Sequence, residues 1–442
     1  MNAKRAKSLL HSRARLLYTA TALLLLASSH ATTLRAQETD TVPPPAPAAG
    51  ELLTLRGQFR DLFVYYPVEN YSLTGGDKKL VSDLKRLRLS PQLNFREKVI
   101  VRMDYDNEII TGSYLNSPEF NELWRPSDYN DFFQMSREPV HDEDLYYRTR
   151  IHRLYAKIAA GDFTVTVGRQ LVRFGSGRLW NPLDIMNPLS PTALEGAEEQ
   201  KGIDALRVEY YLNAVTELGL VVDQKRYRDR DGLDGISAEN TNAVGRLKLS
   251  LGNTELAGLG GRVARRAVGG IDLSTIVLEG MLRGSLIYSD PEEGDPFMQG
   301  SAGYEYTFAG GLYFLVEYFY NQNGLNFNRE LNNLYMMSRA GVMNEEIFRG
   351  LSNQCLTYNR HYAALALGYD ITALLRGDFF VIYDFEGRGL FFNPSLKYNA
   401  FQNIDVSLGV MRAHVFDGAP EQSDFAAFEN EVLVAASLAW YF

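Results

Sequence analysis

From Leu52 to the last residue, apolar side chains recur at every second position in stretches of about ten residues, a period that belongs to strands and not to helices. In one stretch Leu87, Leu89, Pro91, Leu93 and Phe95 share a face, and Arg86, Arg88, Ser90, Gln92 and Asn94 share the other. The next sets Val99, Val101, Met103 and Tyr105 against Arg102, Asp104, Asp106 and Glu108. Only Arg96-Glu97-Lys98 separates the two, so they read as a hairpin. The alternation returns in Leu206/Val208/Tyr210/Leu212, in Ala243/Gly245/Leu247/Leu249/Leu251, in Leu312/Phe314/Val316/Tyr318 and in Ile404/Val406/Leu408/Val410. Soluble sandwiches also alternate, so periodicity leaves two fold classes open.

The connections separate them. Short links (96–98, 159–162, 213–214, 252–254, 309–311, 400–403) alternate with long ones (67–81, 111–144, 175–202, 223–239, 290–297, 322–354). Tight turns at one end and long loops at the other are the pattern of a transmembrane barrel. The fold class expected is therefore all-β: a transmembrane antiparallel up-and-down β-barrel of about 18 strands. A Gly-rich stretch at 255–289, read as strands 255–266, 271–280 and 282–289, blurs the phase and leaves 16 as the alternative count. Apolar outward faces imply lipid as solvent, and closing the sheet leaves no backbone group unpaired there. Aromatic clusters near strand ends (Phe63, Tyr65, Tyr66; Phe314, Tyr318, Tyr320; Trp440, Tyr441) suit interfacial girdles.

Residues 1–36 carry a basic head (Lys4, Arg5, Lys7, Arg13, Arg15), an apolar stretch from Leu16 to Ala27 and a small-residue tail, the make-up of a secretory signal peptide. Cleavage fits after Ala31 or after Ala36, and the polar segment beginning at Gln37 favours the second. Residues 37–50 read as a Pro/Ala-rich periplasmic linker and 51–442 as the barrel. No apolar run of about 18 residues follows the leader, so no helix is expected to span a bilayer.

A barrel of this size is too wide for side chains to fill, so charge on its inward face implies water. Inward parity assigns Arg86, Arg88, Arg102, Asp104, Arg148, Arg150, Arg246 and Lys248 to the lumen from the first half of the chain, and Glu305, Glu317 and Asp378 from the second. Two readings follow. Opposed walls of opposite charge would set up a transverse field that orients polar solutes. Alternatively, the arginines pair locally with Asp104, Asp106 and Glu108. On the first reading, exchanging Arg86, Arg88 and Arg148 together for Gln would shift ion selectivity and leave folding intact.

Two segments carry a resemblance. Gly168-Arg169-Gln170, followed by Phe174-Gly175-Ser176-Gly177-Arg178-Leu179-Trp180-Asn181-Pro182-Leu183-Asp184 and Asn187-Pro188, is similar to a stretch of large outer-membrane porin-like families, the alginate-export type among them. That resemblance implies a loop folded into the lumen, with Arg169, Arg173 and Arg178 near the constriction. Because Arg169 shares parity with Val167, inward placement needs a bulge near Gly168. The alternation of Val432, Val434, Ala436, Leu438, Trp440 and Phe442 resembles the C-terminal targeting strand of outer-membrane barrels, read by their assembly machinery. Trp440 and Phe442 are the targeting candidates.

Several classes are excluded. Without the six Lys and Arg of the leader, 39 basic residues face 54 acidic ones, so no nucleic-acid partner is expected. A single Cys, Cys355, excludes a disulfide framework and a Cys-ligated zinc site, and no cofactor is expected. The acidic runs His141-Asp142-Glu143-Asp144 and Asp229-Arg230-Asp231-Gly232-Leu233-Asp234 lack a full ligand spacing and read as solvated loops. Glu330 to Asn353 contains a helical run. No His pairs with a nucleophile in a recognisable arrangement, so an enzyme is not expected. The 14 residues from Gln37 to Gly50 are too few for a plug domain. The function expected is an outer-membrane channel passing small hydrophilic solutes, anions among them, by passive diffusion. The alternatives are an exporter of an acidic polysaccharide and a non-conducting binding or adhesion barrel. Its partners would be outer-membrane lipid, lipopolysaccharide, the assembly machinery and small solutes.

Overall fold

The computed structural model describes residues 52–67, 79–95, 98–117, 120–121, 131–186, 200–226, 228–229, 232–233, 240–292, 294–324, 354–355, 357–416, 423–425, 429 and 432–442. The leader, the linker, the helical run of 330–353 and Asn187-Pro188 lie outside these residues.

Eighteen antiparallel strands close into one ring, each paired with its neighbours in sequence. They are β1 (Leu53–Pro67), β2 (Lys79–Phe95), β3 (Val99–Thr111), β4 (Leu145–Ala160), β5 (Phe163–Gln170), β6 (Ile203–Asn213), β7 (Thr216–Gln224), β8 (Thr241–Leu251) and β9 (Thr254–Val263). The ring continues through β10 (Arg266–Val277), β11 (Gly280–Pro291), β12 (Phe297–Thr307), β13 (Tyr313–Asn321), β14 (His361–Asp370), β15 (Leu375–Asp384), β16 (Gly389–Phe401), β17 (Ile404–Val415) and β18 (Val432–Tyr441). One short additional strand, Ser136–His141, pairs with β4 outside the ring. The expected fold class and strand count are those observed.

An even strand count brings the start of β1 and the end of β18 to one end of the barrel. All connections at that end are tight, for example 161–162, 214–215 and 402–403, whereas 112–144, 171–202 and 322–360 join strands at the other. The alternation sorts the two faces. Outward residues such as Leu55, Ile271 and Leu408 are 63%, 58% and 48% exposed, as a lipid-facing wall requires.

The Gly-rich region departs from its expected turns. The β9–β10 turn is Ala264-Arg265 and the β10–β11 turn is Leu278-Glu279, all four in the left-handed region. Two left-handed residues in succession match the twist of a two-residue hairpin, so the turn geometry prevails over the usual preference for glycine there. Gly258, Gly260, Gly261, Gly269 and Gly270 sit inside strands instead, with Gly260 facing Gly269 across the β9–β10 pair. The loop-end connection at 264–265 is thus the one place where a two-residue turn joins strands among the long loops.

Closure rests on the β1–β18 ladder, which runs from Gln58↔Tyr441 to Tyr65↔Val434. One step beyond it, Gly57 and Phe442 exchange two backbone hydrogen bonds of 2.7 and 3.0 Å. A Cβ on Gly57 would lie 2.2 Å from the Phe442 ring, so the ring lies on bare backbone. Trp440 packs beside it with ring centroids 4.9 Å apart. Deleting Phe442, or replacing Gly57 with Leu, should therefore reduce the folded, heat-modifiable fraction seen on a gel several-fold. Unchanged folded yield in both variants would show that the last residue is dispensable to closure.

Candidate functional site

The residue pattern of 171–186 does not alternate, and this segment does not continue the wall. After Gln170 the chain turns into the lumen. Val172, Phe174, Leu183, Ile185 and Met186 are buried against inward residues of β6 to β11, among them Ile203, Val221, Val244, Val263 and Ile287. Gly270 makes this approach possible, since a Cβ there would lie 2.3 Å from Leu183 Cδ2. The tip reaches the far side of the ring. Trp180 stacks on Phe319 of β13 at 5.4 Å and 9°. Because β13 lies eight strands beyond β5 in a ring of 18, the loop crosses the lumen.

Polar groups fix the crossing. The Glu317 carboxylate accepts three successive backbone N–H groups, from Arg178 (3.1 Å), Leu179 (3.2 Å) and Trp180 (2.7 Å). Arg178 donates through Nε and Nη2 to Glu305 at 2.9 and 3.1 Å, and Glu305 also receives Arg283 and the Tyr313 hydroxyl. Asp272 accepts from the backbone and hydroxyl of Ser176, both at 3.0 Å. Within the loop, Gly175 adopts φ +79° against Asn181, and Asn181 Nδ2 donates to the Phe174 carbonyl at 2.7 Å. The inward loop implied by the resemblance is thus present, with Arg173 and Arg178 on it.

Arg169 takes another place. At the end of β5, Gly168 has φ +115° and β4 carries a bulge opposite Asp104. Arg169 fills the seam that opens there: it is 4% exposed, with its guanidinium on Asp204 (2.8 Å), Asp131 (3.2 Å) and the carbonyls of Ile151 and Phe133. It seals the wall where β5 leaves β4, away from the channel water.

On the inward face of β2 to β4 the structure brings Arg86, Arg88, Arg148 and Arg150 together around two carboxylates. Glu108 receives Arg86 Nε at 2.7 Å, Arg148 Nη2 at 2.6 Å and Arg150 Nη2 at 3.0 Å. Asp106 receives Arg88 Nε at 2.6 Å and Arg150 Nε at 3.3 Å. Arg102 lies beside Asp104 at 3.0 Å. Arg86 and Arg148 are 2% exposed, so they act as bracing inside the wall and not as free charges. The reading with local partners is the one observed for these arginines. Of the second-half acids, Asp378 is held by Arg376 (2.9 Å) and Glu305 by Arg178 (2.9 Å). Arg246 and Lys248, on β8, stand apart from the quartet with Glu217 (4.0 Å) and Glu255 (2.8 Å).

An excess of positive charge nevertheless remains on one wall. Among the described residues, Arg56, Arg60, Arg86, Arg88, Arg102, Arg148, Arg150, Arg153 and Lys157 share the inward parity of β1 to β4, with Asp104, Asp106 and Glu108 as the only carboxylates on that parity. Sequence reasoning placed Ser176, Trp180 and Asp184 on the inward segment without giving them a role, and it missed Asp272, the partner of Ser176, and Arg283, which shares Glu305 with Arg178. Parity places Asp272 and Arg283 on the lumen face, but only the fold shows that the loop reaches them. His141 packs on Phe120 and Tyr146, and among the described residues no cluster of His, Cys, Asp or Glu is arranged to hold a metal ion. Arg230, Asp231 and Asp234 lie outside the described residues.

The fold is thus a closed 18-strand antiparallel β-barrel with a loop folded across its lumen, an architecture shared with solved outer-membrane porins. Solved structures with the same fold include the outer membrane protein OpdK from Pseudomonas aeruginosa, at TM-score 0.52 and 10% identity over 88% of this chain and 98% of that one. OccAB1 from Acinetobacter baumannii matches at TM-score 0.52 and 12% identity, covering 88% of this chain and 96% of that one. OccAB4 from the same organism matches at TM-score 0.52 and 9% identity, covering 90% and 100%. At such identities the likeness is one of fold. No protein-family model and no curated protein sequence matches the chain.

Two substitutions test this geometry. Hydrogen bonds to a charged group contribute about 1.5–3 kcal/mol each, so Glu317→Ala should loosen the loop and leave the ring intact. Normal heat-modifiable mobility with faster proteolysis near Arg178 is the expected result. Arg86→Gln removes a buried partner of Glu108 and should cost the barrel about 3–5 kcal/mol, read as a lower denaturant midpoint. This reverses the expectation that the arginines can be exchanged without consequence for folding.

Proposed function

We propose that the chain is a passive outer-membrane channel for small hydrophilic solutes that favours anions. The observation that carries this reading is the inward face of β1 to β4, where nine cationic side chains accompany three carboxylates. In a narrow, partly dehydrated passage such an excess lowers the energy of an anion and raises that of a cation. The inward loop supports the reading, because it narrows the lumen while adding Arg173 and Arg178, 27% and 31% exposed, to the same passage. Transport of this kind needs no catalytic step. The alternating face that ends in Phe442 suits recognition by the barrel assembly machinery, and the aromatic rim of the loop end suits contact with lipopolysaccharide.

Reconstitution in planar bilayers tests the proposal. Discrete conductance steps are expected, with a reversal potential of anion-selective sign in a dilute salt gradient that weakens as the Debye length shrinks from about 30 Å at 0.01 M to about 3 Å at 1 M. Exchanging Lys157, an exposed charge of this wall, for Gln should move the reversal potential toward cations without loss of folded protein. A folded barrel that never conducts would instead support a binding or adhesion role.

A further inference from the structure

We infer that Asp184 is a selectivity-determining residue: its protonation decides whether Arg173 presents a compensated or an uncompensated charge to the constriction. This rests on the channel reading above and adds to it a proton-responsive element.

Asp184 belongs to the loop segment that crosses the lumen, but its side chain points away from water and is 2% exposed. It sits among Leu183, Ile185 and Met186, all buried. One carboxylate oxygen, Oδ2, accepts a 2.6 Å hydrogen bond from Gln200 Nε2 and lies 3.7 Å from Arg173 Nε. The other, Oδ1, is buried without a hydrogen-bond partner. A carboxylate in this position is under-solvated, and its one nearby cation is too distant for a hydrogen bond, so the neutral acid is favoured. Burial pushes its pKa up to about 7, with Gln200 and Arg173 opposing.

The groups facing it are few. Arg173 approaches from the same loop and Gln200 from its returning arm. Cys355, on the segment before β14, donates to the Asn181 carbonyl at 3.4 Å, and its thiol, pushed up to about 12 by burial, stays neutral. Glu317 lies on the β13 side of the loop, committed to three backbone N–H groups. Arg173 is the one cation beside Asp184 among the described residues, and it is 27% exposed. When Asp184 is ionised, the two charges cancel at the constriction. When Oδ1 takes a proton from lumen water, Arg173 keeps its full charge toward the passage. The sign follows: anion preference rises as the pH falls through about 7.

The experiment is the reversal potential of the full-length channel in a dilute potassium chloride gradient, in neutral phospholipid bilayers, from pH 5.5 to 8.5. One unit charge within about 8 Å of a permeating ion in water changes its occupancy about two-fold, so the anion-to-cation permeability ratio should rise about two-fold toward acid. Asp184→Asn should hold the ratio at its acid value across the range. Arg173→Gln removes the cation but not the titrating acid, so its acid-side ratio should fall to the wild-type alkaline value; an acid-side ratio unchanged from wild type would overturn the inference even if Asp184→Asn reduces folded yield. A pH response that survives in Asp184→Asn would overturn the inference. A conducting wild-type channel with pH-independent selectivity would overturn it while leaving the channel reading standing, whereas absence of conductance in folded protein would overturn both.

Discussion

Everything in this molecule depends on an uninterrupted backbone hydrogen-bond ring. In hydrocarbon an unpaired N–H or C=O has no water to turn to, so a sheet can lie in lipid only if its first and last strands meet. Here they meet through the β1–β18 ladder, extended by the Gly57 and Phe442 backbone pair, with the final phenyl ring lying on a residue that has no side chain. The ring also dictates side-chain direction. Once closed, parity alone decides which residues see lipid and which see the lumen.

The lumen is where the closed ring creates a difficulty. Its inward face carries many charges, and those near the wall are out of water. They persist because they are paired: two carboxylates, Asp106 and Glu108, hold four arginines among them. Removing one partner would leave a buried charge uncompensated, which costs more than the pair itself contributes. The arginine quartet therefore has two consequences at once. It braces β2, β3 and β4 across their inward face, and it leaves that wall richer in cations than in anions.

The inward loop exploits both kinds of interaction. Its apolar residues pack on one wall as a small hydrophobic core inside the barrel, and its tip is tied to the other by carboxylates. Three consecutive backbone N–H groups converging on Glu317 hold the chain itself, not merely a side chain, so the path of the loop is set independently of which residue occupies position 178 or 179. That arrangement sets Arg173 beside Asp184 and Arg178 beside Glu305 on the loop that crosses the passage.

Much of this was legible without coordinates. A side-chain period of two, connection lengths sorted into short and long, and an even strand count together determine a barrel, because no other closed β structure in lipid satisfies all three. Parity put Arg86, Arg88, Arg148 and Arg150 on one face, and the fold gathers them around Asp106 and Glu108. Three matters were settled only by tertiary structure. Gly270 looks like a turn residue locally, yet it makes room for Leu183, on a loop that leaves the wall after Gln170. Arg169 has a residue type suited to a constriction, yet the divergence of β5 from β4 makes it a seal in the wall. Whether an inward arginine is free or paired depends on cross-strand register, and a shift of one residue would change every partner. Periodicity is a local property and survives in the sequence; register, loop reach and charge pairing arise only when distant segments meet.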